Sequence, residues 1–326
     1  MPKRLIKITD CDHPSVDIEK DVLRRQNIEV ELEQCLTEED VIRKCKDAQG
    51  LINQYAPITR KVLAELKELK FVVRYGVGVD NVDVEAATEF AVQICNVPDY
   101  GVQEVSDHAL ALLFNLIRKV SLLSEDVKKG NWDFQVSRPI RRTSELTLGV
   151  IGLGRIGYNV AKKASVMGWN VIGVDHKDYS DDPYVRQVDF ATLLKEADMI
   201  TIHVPLTEET KHMFRRETFK QMKDGSIIVN TARGPIIEET ALIEAIRSGK
   251  LAGAGLDVLE NEPPEADHPL FAYDNVILTP HSAWYAEESA YDLKRKAAEE
   301  AARLIEGEPI RYPVNRVASD RGEFIV

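Results

Sequence analysis

Short apolar runs alternate with helix-like segments along the first hundred residues of the chain. The runs predict β-strands, and the segments between them, in which apolar residues recur every three or four positions, predict α-helices. This alternation is typical of a parallel sheet that is covered by helices on both faces. The predicted strands are residues 5–8, 28–32, 50–52, 71–73 and 92–94, and the predicted helices are residues 17–26, 38–46, 59–66 and 84–89.

A second series of strands and helices follows a long apolar helix at residues 105–117 and a polar arm at residues 128–142, which contains Trp132. The renewed alternation predicts a second doubly wound α/β domain. No strand of that domain follows the last helix, residues 287–305, so we expect this helix to pack on the first domain. The later strands are predicted at residues 148–151, 171–174, 199–204, 226–230, 254–258 and 276–278, and the later helices at residues 190–196, 215–222 and 238–247.

These patterns predict two doubly wound parallel-sheet domains, of which the first is discontinuous. We predict a flavodoxin-like, substrate-binding domain formed by residues 1–101 and 285–326. Residues 102–284 are predicted to form a Rossmann dinucleotide-binding domain. The turn-rich segment at residues 96–101 is a candidate hinge between them.

The second domain is organised around residues 146–175, where glycines follow a buried strand at the G-x-G-x-x-G spacing. Gly152 permits a tight turn, Gly154 lets the backbone approach a pyrophosphate, and Gly157 lets helix and strand pack closely. The N-terminus of the helix then attracts the phosphates. Asp175 ends the next strand, where a carboxylate can accept hydrogen bonds from ribose hydroxyls and would repel a 2′-phosphate. The cofactor predicted from this stretch is therefore NAD.

Polar residues at the carboxyl ends of the strands supply a candidate catalytic set, because ligands bind there in open α/β sheets. Arg233, Glu262 and His281 lie at or just beyond successive predicted strands. An arginine can hold a carboxylate in two parallel hydrogen bonds, and a histidine can exchange a proton with a carbonyl oxygen. A carboxylate beside the histidine favours the imidazolium. With a dinucleotide nearby, these groups suffice for hydride transfer between a nicotinamide and a 2-oxo acid.

Each candidate also has a structural interpretation. Arg233 could form a surface ion pair, Glu262 could be a solvated loop acid, and His281 could cap a turn or belong to the core. The coincidence of all three at strand ends favours the catalytic interpretation. His108, on an apolar helix, and the ring of His203, within a predicted strand, are interpreted as structural.

Composition and charge narrow the possible partners. The formal net charge of −12 argues against nucleic acid or an anionic membrane as the main partner. No apolar run approaches the roughly 20 residues that span a bilayer. The N-terminus enters a strand pattern rather than a signal peptide. The cysteines lack disulfide-framework and metal-ligand spacing, so we predict reduced thiols in a cytoplasmic protein and no metal site. They are Cys11, Cys35, Cys45 and Cys95.

Several motifs, in order along essentially the whole chain, resemble those of the D-isomer-specific 2-hydroxyacid dehydrogenase family. The resemblance implies an NAD-dependent oxidoreductase in which Arg233 binds the substrate, His281 is the acid/base and Glu262 is its partner. It also implies that Val77 and Gly78 offer N–H groups to the substrate carboxylate, and that the protein is a homodimer built around its NAD-binding domains. The motifs are YGVGVDNVD at residues 75–83, GLGRIG at 152–157, IHVPLTEET at 202–210, NTARGPIIEETAL at 230–242, AGLDVLENEP at 254–263 and TPHSAW at 279–284.

Other residues complete the predicted site. Gly76 and Gly78 are either turn glycines or part of a backbone nest for a carboxylate. The resemblance implies that Asp257 lies near the nicotinamide carboxamide. The predicted substrate-binding residues are Tyr75, Gly76, Val77, Gly78 and Trp284. The predicted cofactor-binding residues are Gly152, Gly154, Arg155, Ile156, Gly157, Asp175, His203, Val204, Pro205, Thr231, Ala232 and Asp257.

The segments NVPDYG, EVSDHAL and HSAWYAEES most resemble the branch of the family that contains the C-terminal-binding proteins. That branch implies a tryptophan, here Trp284, in the substrate pocket, and its animal members are dinucleotide-sensing corepressors. A regulatory protein of that kind is therefore the alternative to an enzyme. A second alternative is an enzyme with an unusual substrate, such as an oxidase of an inorganic acid. Tyr75, Tyr100 and Trp284 predict a roomy aromatic pocket and leave the acid open.

Overall fold

The computed structural model describes residues 4–317, so the parts of the domain prediction at residues 1–3 and 318–326 lie outside the described residues. The chain divides into two compact units. The first unit is formed by Met1–Gly101 and Ala286–Val326, and the second by Val102–Tyr285. The chain returns to the first unit at Ala286, one residue after the predicted boundary at residue 285.

The N-terminal part of the first unit alternates strands with helices. Its strands are β1 (Leu5–Ile8), β2 (Glu29–Leu32), β3 (Gly50–Asn53), β4 (Phe71–Arg74) and β5 (Gln93–Cys95). Its helices are α1 (Asp17–Arg24), α2 (Glu38–Lys44), α3 (Arg60–Glu65) and α4 (Val84–Glu89). All paired strands are parallel and their order is β2-β1-β3-β4-β5. This is the flavodoxin-like order, which confirms the predicted fold class of the unit.

Local sequence explains where these elements begin and which strands are buried. Thr37, Thr59 and Asp83 each accept a hydrogen bond from the backbone N–H three residues ahead and so cap α2, α3 and α4. The central strands β1 and β3 are buried at every residue, as expected for strands covered on both faces. The edge strand β2 alternates acids with apolar residues and is partly exposed.

The second unit contains a longer parallel sheet. Its strands are β6 (Thr147–Ile151), β7 (Asn170–Val174), β8 (Arg186–Gln187), β9 (Met199–Ile202), β10 (Ser226–Asn230), β11 (Leu251–Leu256) and β12 (Val276–Leu278). Its helices are α5 (Val102–Arg118), α6 (Val120–Lys128), α7 (Arg155–Val166), α8 (Phe190–Glu196), α9 (Arg216–Gln221) and α10 (Glu239–Arg247). The strand order β12-β11-β10-β9-β6-β7-β8 is the Rossmann order extended by one strand, which confirms the prediction for this unit.

The two faces of this sheet have separate cores. Leu148 and Val150 of β6 belong to a cluster with the apolar faces of α5 and α7. Ile151, one position further along the strand, belongs to a second cluster with α8, α9 and α10. Side chains of a strand alternate between faces, so one short apolar run fixes helices on both sides of the sheet. The carboxyl ends of β6 and β9, where the strand order reverses, are thereby held side by side.

The last described helix, α11 (Glu287–Glu306), packs against α1, β3 and β4 of the first unit. It ends at Gly307, whose φ of 69° is the left-handed conformation that stops helices. Among the described residues, no helix combines the length and hydropathy that a bilayer-crossing segment requires. The cysteines are buried free thiols, and the described residues contain no cluster of three or more potential metal-ligating side chains.

Candidate active site

The glycine turn after β6 has the geometry that its spacing predicts. Gly152 has a φ of 85° and donates its N–H to the Val174 carbonyl at 2.9 Å. A Cβ on Gly157 would lie 1.9 Å from the Gly152 carbonyl oxygen, so only glycine allows this approach of helix and turn. A Cβ on Gly154, in contrast, would meet no heavy atom of the described residues within 4 Å. The turn is therefore closed on its protein side and open at Gly154.

Asp175 is held at the end of β7 by the glycine turn itself. Its carboxylate accepts the N–H of Leu153 at 2.6 Å and the N–H of Lys177 at 2.8 Å. Gln187 donates to the Asp175 carbonyl at 3.0 Å, which fixes the backbone of the following loop. The acid is therefore rigidly placed next to the turn that the sequence predicted to bind a dinucleotide.

His203 lies one residue beyond the end of β9, so the prediction that it is within a strand is wrong by a single position. The strand ends here, at the carboxyl edge of the sheet, although the His203 N–H still donates to the Ile151 carbonyl at 2.7 Å. Its Nε2 lies 2.9 Å from Thr201 Oγ1, and desolvation lowers the pKa of His203, so the ring is neutral at neutral pH. A Cβ on Gly152 would touch the His203 carbonyl and Val204 at 2.8 Å. This segment therefore borders the glycine turn.

The loop after β10 is organised by the side chain of Asn230. Its amide donates to the Arg233 carbonyl at 2.9 Å and its oxygen accepts the N–H of Ala232 at 3.0 Å. A Cβ on Gly234 would lie 1.8 Å from the Leu259 carbonyl oxygen, so this loop is pressed against the loop that follows β11. Arg233, which is half-buried, is thereby held at the carboxyl edge of the sheet.

Glu262 and His281 form the hydrogen-bonded pair that the sequence predicted. His281 Nδ1 lies 2.7 Å from Glu262 Oε2, and the other carboxylate oxygen accepts the N–H of Leu259 at 3.0 Å. Since the carboxylate can only accept, Nδ1 carries the proton and donates it. Nε2 of His281 contacts no hydrogen-bonding partner among the described residues, and it is the nitrogen available to a ligand.

The charge of Glu262 is set by its surroundings. Burial raises the pKa of Glu262, but the hydrogen bond and charge of His281, the Leu259 N–H and the charge of Arg233 act in the opposite direction. The net result is a pKa below the ordinary glutamate value. The effect of Arg233 shows that the structure brings the three predicted catalytic residues close together.

Asp257 anchors the turn that carries His281. Its side chain is 2% exposed, and its carboxylate accepts the Thr279 hydroxyl at 2.6 Å and the N–H groups of Ser282 and Ala283 at 2.9 Å. The Asp257 carbonyl accepts the N–H of His281 at 2.8 Å. The family resemblance implied that Asp257 lies near the nicotinamide carboxamide, and its anchoring of the turn that carries His281 was not anticipated.

His108 reaches the same anchor from α5. Its Nε2 lies 3.0 Å from Thr279 Oγ1 and 3.7 Å from Asp257 Oδ1. This contact was missed because one histidine on an apolar helix resembles a core residue. The available signal was the side chain of Thr279, a hydroxyl two positions before His281 and at the end of a strand.

Residues 75–78 follow β4 in the first unit. Gly76 has a φ of 123°, and its carbonyl accepts the N–H of Val97 at 2.9 Å. Asn96 donates to the Val77 carbonyl at 2.6 Å. In the described part of the chain, the N–H groups of Val77 and Gly78 donate to no protein acceptor. The loop is thus held by its carbonyl groups and presents two successive N–H donors.

The aromatic residues predicted to contact substrate differ in their exposure. The Tyr75 side chain is 2% exposed and its hydroxyl donates to Glu19 at 2.5 Å, while burial and this acid raise the pKa of Tyr75 well above its ordinary value. Tyr75 thus supports residues 76–78 from inside the first unit. Trp284 is half-buried and stacks edge-on against Tyr285, with ring centroids 5.6 Å apart.

Two observations test whether the second unit fits a dinucleotide. No described side chain caps the N-terminus of α7, and Gly154 leaves space in front of its N–H groups. Thr231, directly after β10, has a buried hydroxyl oxygen with no hydrogen-bond partner among the described residues. An uncapped helix end and a buried orphan hydroxyl on the same sheet edge are what a phosphate-bearing polar ligand would satisfy.

Comparison with known proteins agrees with this geometry. Residues 110–283, more than half of the chain, match the family model described as "D-isomer specific 2-hydroxyacid dehydrogenase, NAD binding domain". A D-3-phosphoglycerate dehydrogenase of Archaeoglobus fulgidus is 38% identical over 308 residues, which cover 93% of this chain and 58% of that relative. The chain thus spans less than two thirds of the length of this relative. A hydroxypyruvate reductase of Thermotoga maritima is 38% identical over 263 residues, covering 80% of this chain and 85% of that enzyme.

A solved structure extends the likeness to the whole fold. The D-lactate dehydrogenase of Aquifex aeolicus, crystallised with NAD and lactic acid, is 28% identical and superposes with a TM-score of 0.85. The match covers 93% of this chain and 96% of that one.

Proposed function

Because the chain belongs to the D-isomer-specific 2-hydroxyacid dehydrogenase family, we propose that it transfers a hydride between NAD(H) and a D-2-hydroxy acid/2-oxo acid pair. The observation that carries this proposal is the His281–Glu262 pair at the carboxyl edge of the NAD-binding sheet, with Nε2 of the histidine left over. An acid/base group at this position is what reduction of a carbonyl requires in addition to a hydride donor.

The residues divide the reaction between them. NADH, when bound, supplies the hydride to the carbonyl carbon of the 2-oxo acid. His281, as imidazolium, donates the Nε2 proton to the carbonyl oxygen, and Glu262 stabilises the positive charge through Nδ1–H. In the oxidative direction, neutral His281 removes the hydroxyl proton. Arg233 binds the substrate carboxylate and polarises the carbonyl group, for which its planar guanidinium is suited.

In the first unit, we propose that the loop of residues 75–78 binds a substrate carboxylate. The unpaired N–H groups of Val77 and Gly78 can both donate to a carboxylate, in the manner of a backbone anion nest. Tyr75 and Gly76 fix the path of this loop, and Trp284 contributes an apolar wall to the substrate pocket.

The cofactor lies along the carboxyl edge of the NAD-binding sheet in this proposal. The pyrophosphate is bound at the glycine turn, including the N–H groups of Arg155 and Ile156, and the ribose hydroxyls by Asp175. Two segments line the remaining length of the cofactor: residues 203–205 (His203, Val204 and Pro205) and residues 231–232 (Thr231 and Ala232). Asp257 completes the nicotinamide end through the turn that it anchors.

We further propose a homodimer formed through the NAD-binding unit. The region from α6 to residue 137 exposes large apolar side chains, among them Trp132 at 89% and Phe134 at 68% exposure. Exposed apolar patches of this kind mark contact surfaces, and a second copy is the partner that covers them here. Sedimentation of wild type and of Trp132→Ser should show a dimer that the substitution weakens. The buried free thiols fit a reducing compartment, so we also propose a cytoplasmic location.

The decisive test follows NADH absorbance with glyoxylate, hydroxypyruvate, pyruvate and 3-phosphohydroxypyruvate as substrates. We expect turnover of at least one 2-oxo acid, a D-configured product, and loss of turnover in His281→Ala. An intact protein that binds NADH and reduces none of these acids would instead support the dinucleotide-sensing alternative, which the enzymatic relatives do not favour.

A further inference from the structure

The turn that presents His281 is held in a conformation that it would not adopt on its own. We call residues 279–283 the catalytic turn. His281 has a φ of 53°, a left-handed conformation that costs a non-glycine residue free energy unless its surroundings enforce it. Three of the enforcing contacts go to the carboxylate of Asp257, which accepts hydrogen bonds from Thr279, Ser282 and Ala283. The position of the catalytic imidazole therefore depends on how firmly Asp257 holds this turn.

Proton counting fixes the role of His108 in this arrangement. The Thr279 hydroxyl has one hydrogen, and it lies 2.6 Å from a carboxylate oxygen of Asp257 that can only accept. The hydroxyl oxygen, 3.0 Å from His108 Nε2, must then accept from the histidine. His108 is accordingly the donor and carries a hydrogen on Nε2. The chain of donors runs from His108 to Thr279 to Asp257.

The position of His108 is rigid because α5 lies directly on β11, the strand that leads to Asp257. A Cβ on Gly255 would lie 3.1 Å from Leu112 Cβ, and a Cβ on Gly253 would lie 3.0 Å from Leu116. These glycines let helix and strand approach more closely than larger residues allow. His108 thus belongs to a helix whose distance from Asp257 is set by packing.

We propose that His108 is a positioning residue for His281, acting through Thr279 and Asp257; the inference rests on the proposed acid/base role of His281. The Nε2–H of His108 keeps the Thr279 hydroxyl turned towards Asp257, and linked hydrogen bonds of this kind strengthen one another. Without this donor, Thr279 can rotate and release its bond to Asp257. The catalytic turn then loosens, and Nε2 of His281 loses its alignment with the carbonyl oxygen of the substrate.

Amide hydrogen exchange tests the proposal without reference to activity. His108→Leu and Thr279→Val should raise the exchange rates of the Ser282 and Ala283 amides roughly 10-fold, the scale of one lost hydrogen bond. His108→Gln, which can place an N–H near the former Nε2, should restore protection. His268→Leu, which removes histidine contacts to Glu239 and Leu270, should leave the catalytic turn unchanged. Unchanged exchange at the turn in His108→Leu overturns the inference.

Kinetics then separates positioning from a general loss of stability. In His108→Leu, kcat for reduction should fall roughly 10-fold, because a misaligned donor slows proton transfer, while the KM for NADH stays constant. The solvent deuterium isotope effect on kcat should rise, and His108→Gln should restore both values. The double variant His108→Leu/Thr279→Val should be no slower than Thr279→Val alone, since both substitutions break one chain of contacts. Additive losses would contradict the proposal.

A reference variant distinguishes failure of this inference from failure of the proposed function. If His281→Ala is as active as wild type, the acid/base assignment fails whatever the exchange data show. If His281→Ala is inactive and His108→Leu matches wild type in exchange and in kcat, only the positioning role of His108 fails.

Discussion

Among the three histidine–glutamate pairs in the described residues of the NAD-binding unit, those of His281 and His268 have nearly equal distances and different surroundings. His281 lies 2.7 Å from Glu262, and His268 lies 2.8 Å from Glu239. In the second pair Nε2 faces the acid, and Nδ1 accepts the N–H of Leu270 at 3.3 Å, so both ring nitrogens are used within the protein. In the first pair only Nδ1 is used among the described residues. Contact between a histidine and an acid therefore does not by itself predict a catalytic role, and we infer the role of the first pair from its spare nitrogen at the carboxyl edge of the sheet.

The exposure of their side chains also distinguishes the two pairs, since the pair with a spare nitrogen is the more exposed. The side chains of His281 and Glu262 are 37% and 35% exposed, whereas those of His268 and Glu239 are 12% and 17% exposed. A half-open pair is accessible to a ligand and adds little to stability, since exposed ion pairs contribute roughly 0–1 kcal/mol. A covered pair satisfies buried polar groups instead. We therefore expect catalysis to depend on the first pair and stability on the second.

The largest contrast should come from removing each histidine. His281→Ala should lower kcat/KM for 2-oxo acid reduction by a factor on the order of 10² or more, the usual contribution of a positioned acid/base. His268→Ala should leave kcat/KM of the folded enzyme within about 3-fold, because neither of its nitrogens faces a ligand. Initial rates with NADH at matched concentrations of folded protein measure both. Comparable losses in the two variants would erase the distinction between the pairs.

Arg233 tests whether the spare nitrogen of His281 faces a bound carboxylic acid. Lysine keeps the charge but cannot form two parallel hydrogen bonds, so Arg233→Lys should lose roughly 2 kcal/mol of transition-state stabilisation, or about 30-fold in kcat/KM. NADH affinity should be unchanged. The control is Arg216→Lys, which alters an exposed arginine paired with Glu244 in the same unit. Near-normal kcat/KM in Arg233→Lys would reassign this residue to a structural ion pair.

The sequence predicted the parts of this site that depend on spacing along the chain. The glycine turn, Asp175 and the Arg233, Glu262 and His281 set lie at or beyond the carboxyl ends of strands, and the carboxyl ends of parallel strands meet at one edge. The two sheets were predicted for the same reason, since apolar periodicity fixes which elements face each other. Boundaries were less accurate, as at His203, because an apolar run does not show where strand pairing stops.

What the sequence did not reveal are contacts between residues distant in the chain. His108 and Thr279 are 171 residues apart in the sequence, and their hydrogen bond depends on how closely α5 approaches β11. The short helix α6 was also missed, because its exposed apolar residues do not form a pattern that packs on the sheet of its own unit. In each case the deciding quantity is a packing distance, which periodicity does not contain.

A smaller effect, on the pH profile of kcat/KM, should distinguish Glu262 from Glu239. Glu262→Gln keeps a hydrogen-bond acceptor for Nδ1–H but removes the negative charge that favours imidazolium, so the alkaline limb of the reduction profile should move to lower pH. Oxidation, which needs the neutral imidazole, should improve at lower pH in the same variant. Because the pKa of Glu262 is lowered, wild type keeps its carboxylate charged across the neutral range and loses the pair only as the pH falls through that lowered value.

The control for this profile is Glu239→Gln, which should leave both limbs of the kcat/KM profile in place. The profiles are measured in the reductive direction with saturating NADH. An alkaline limb that stays fixed in Glu262→Gln would show that another group supplies the proton.

The smallest effect should be on stability. Here we expect the larger loss in His268→Ala and the smaller loss in His281→Ala, the reverse of their expected effects on kcat/KM. His268→Ala leaves the Leu270 N–H without its cap and a largely covered Glu239 without a partner, which should cost roughly 1–2 kcal/mol. His281→Ala removes a pair that is about one-third exposed and should cost less than about 1 kcal/mol. Urea denaturation followed by fluorescence would show a lower midpoint in His268→Ala and a nearly wild-type midpoint in His281→Ala. A larger loss in His281→Ala would mean that the catalytic turn is stabilised by its histidine rather than imposed on it by Asp257.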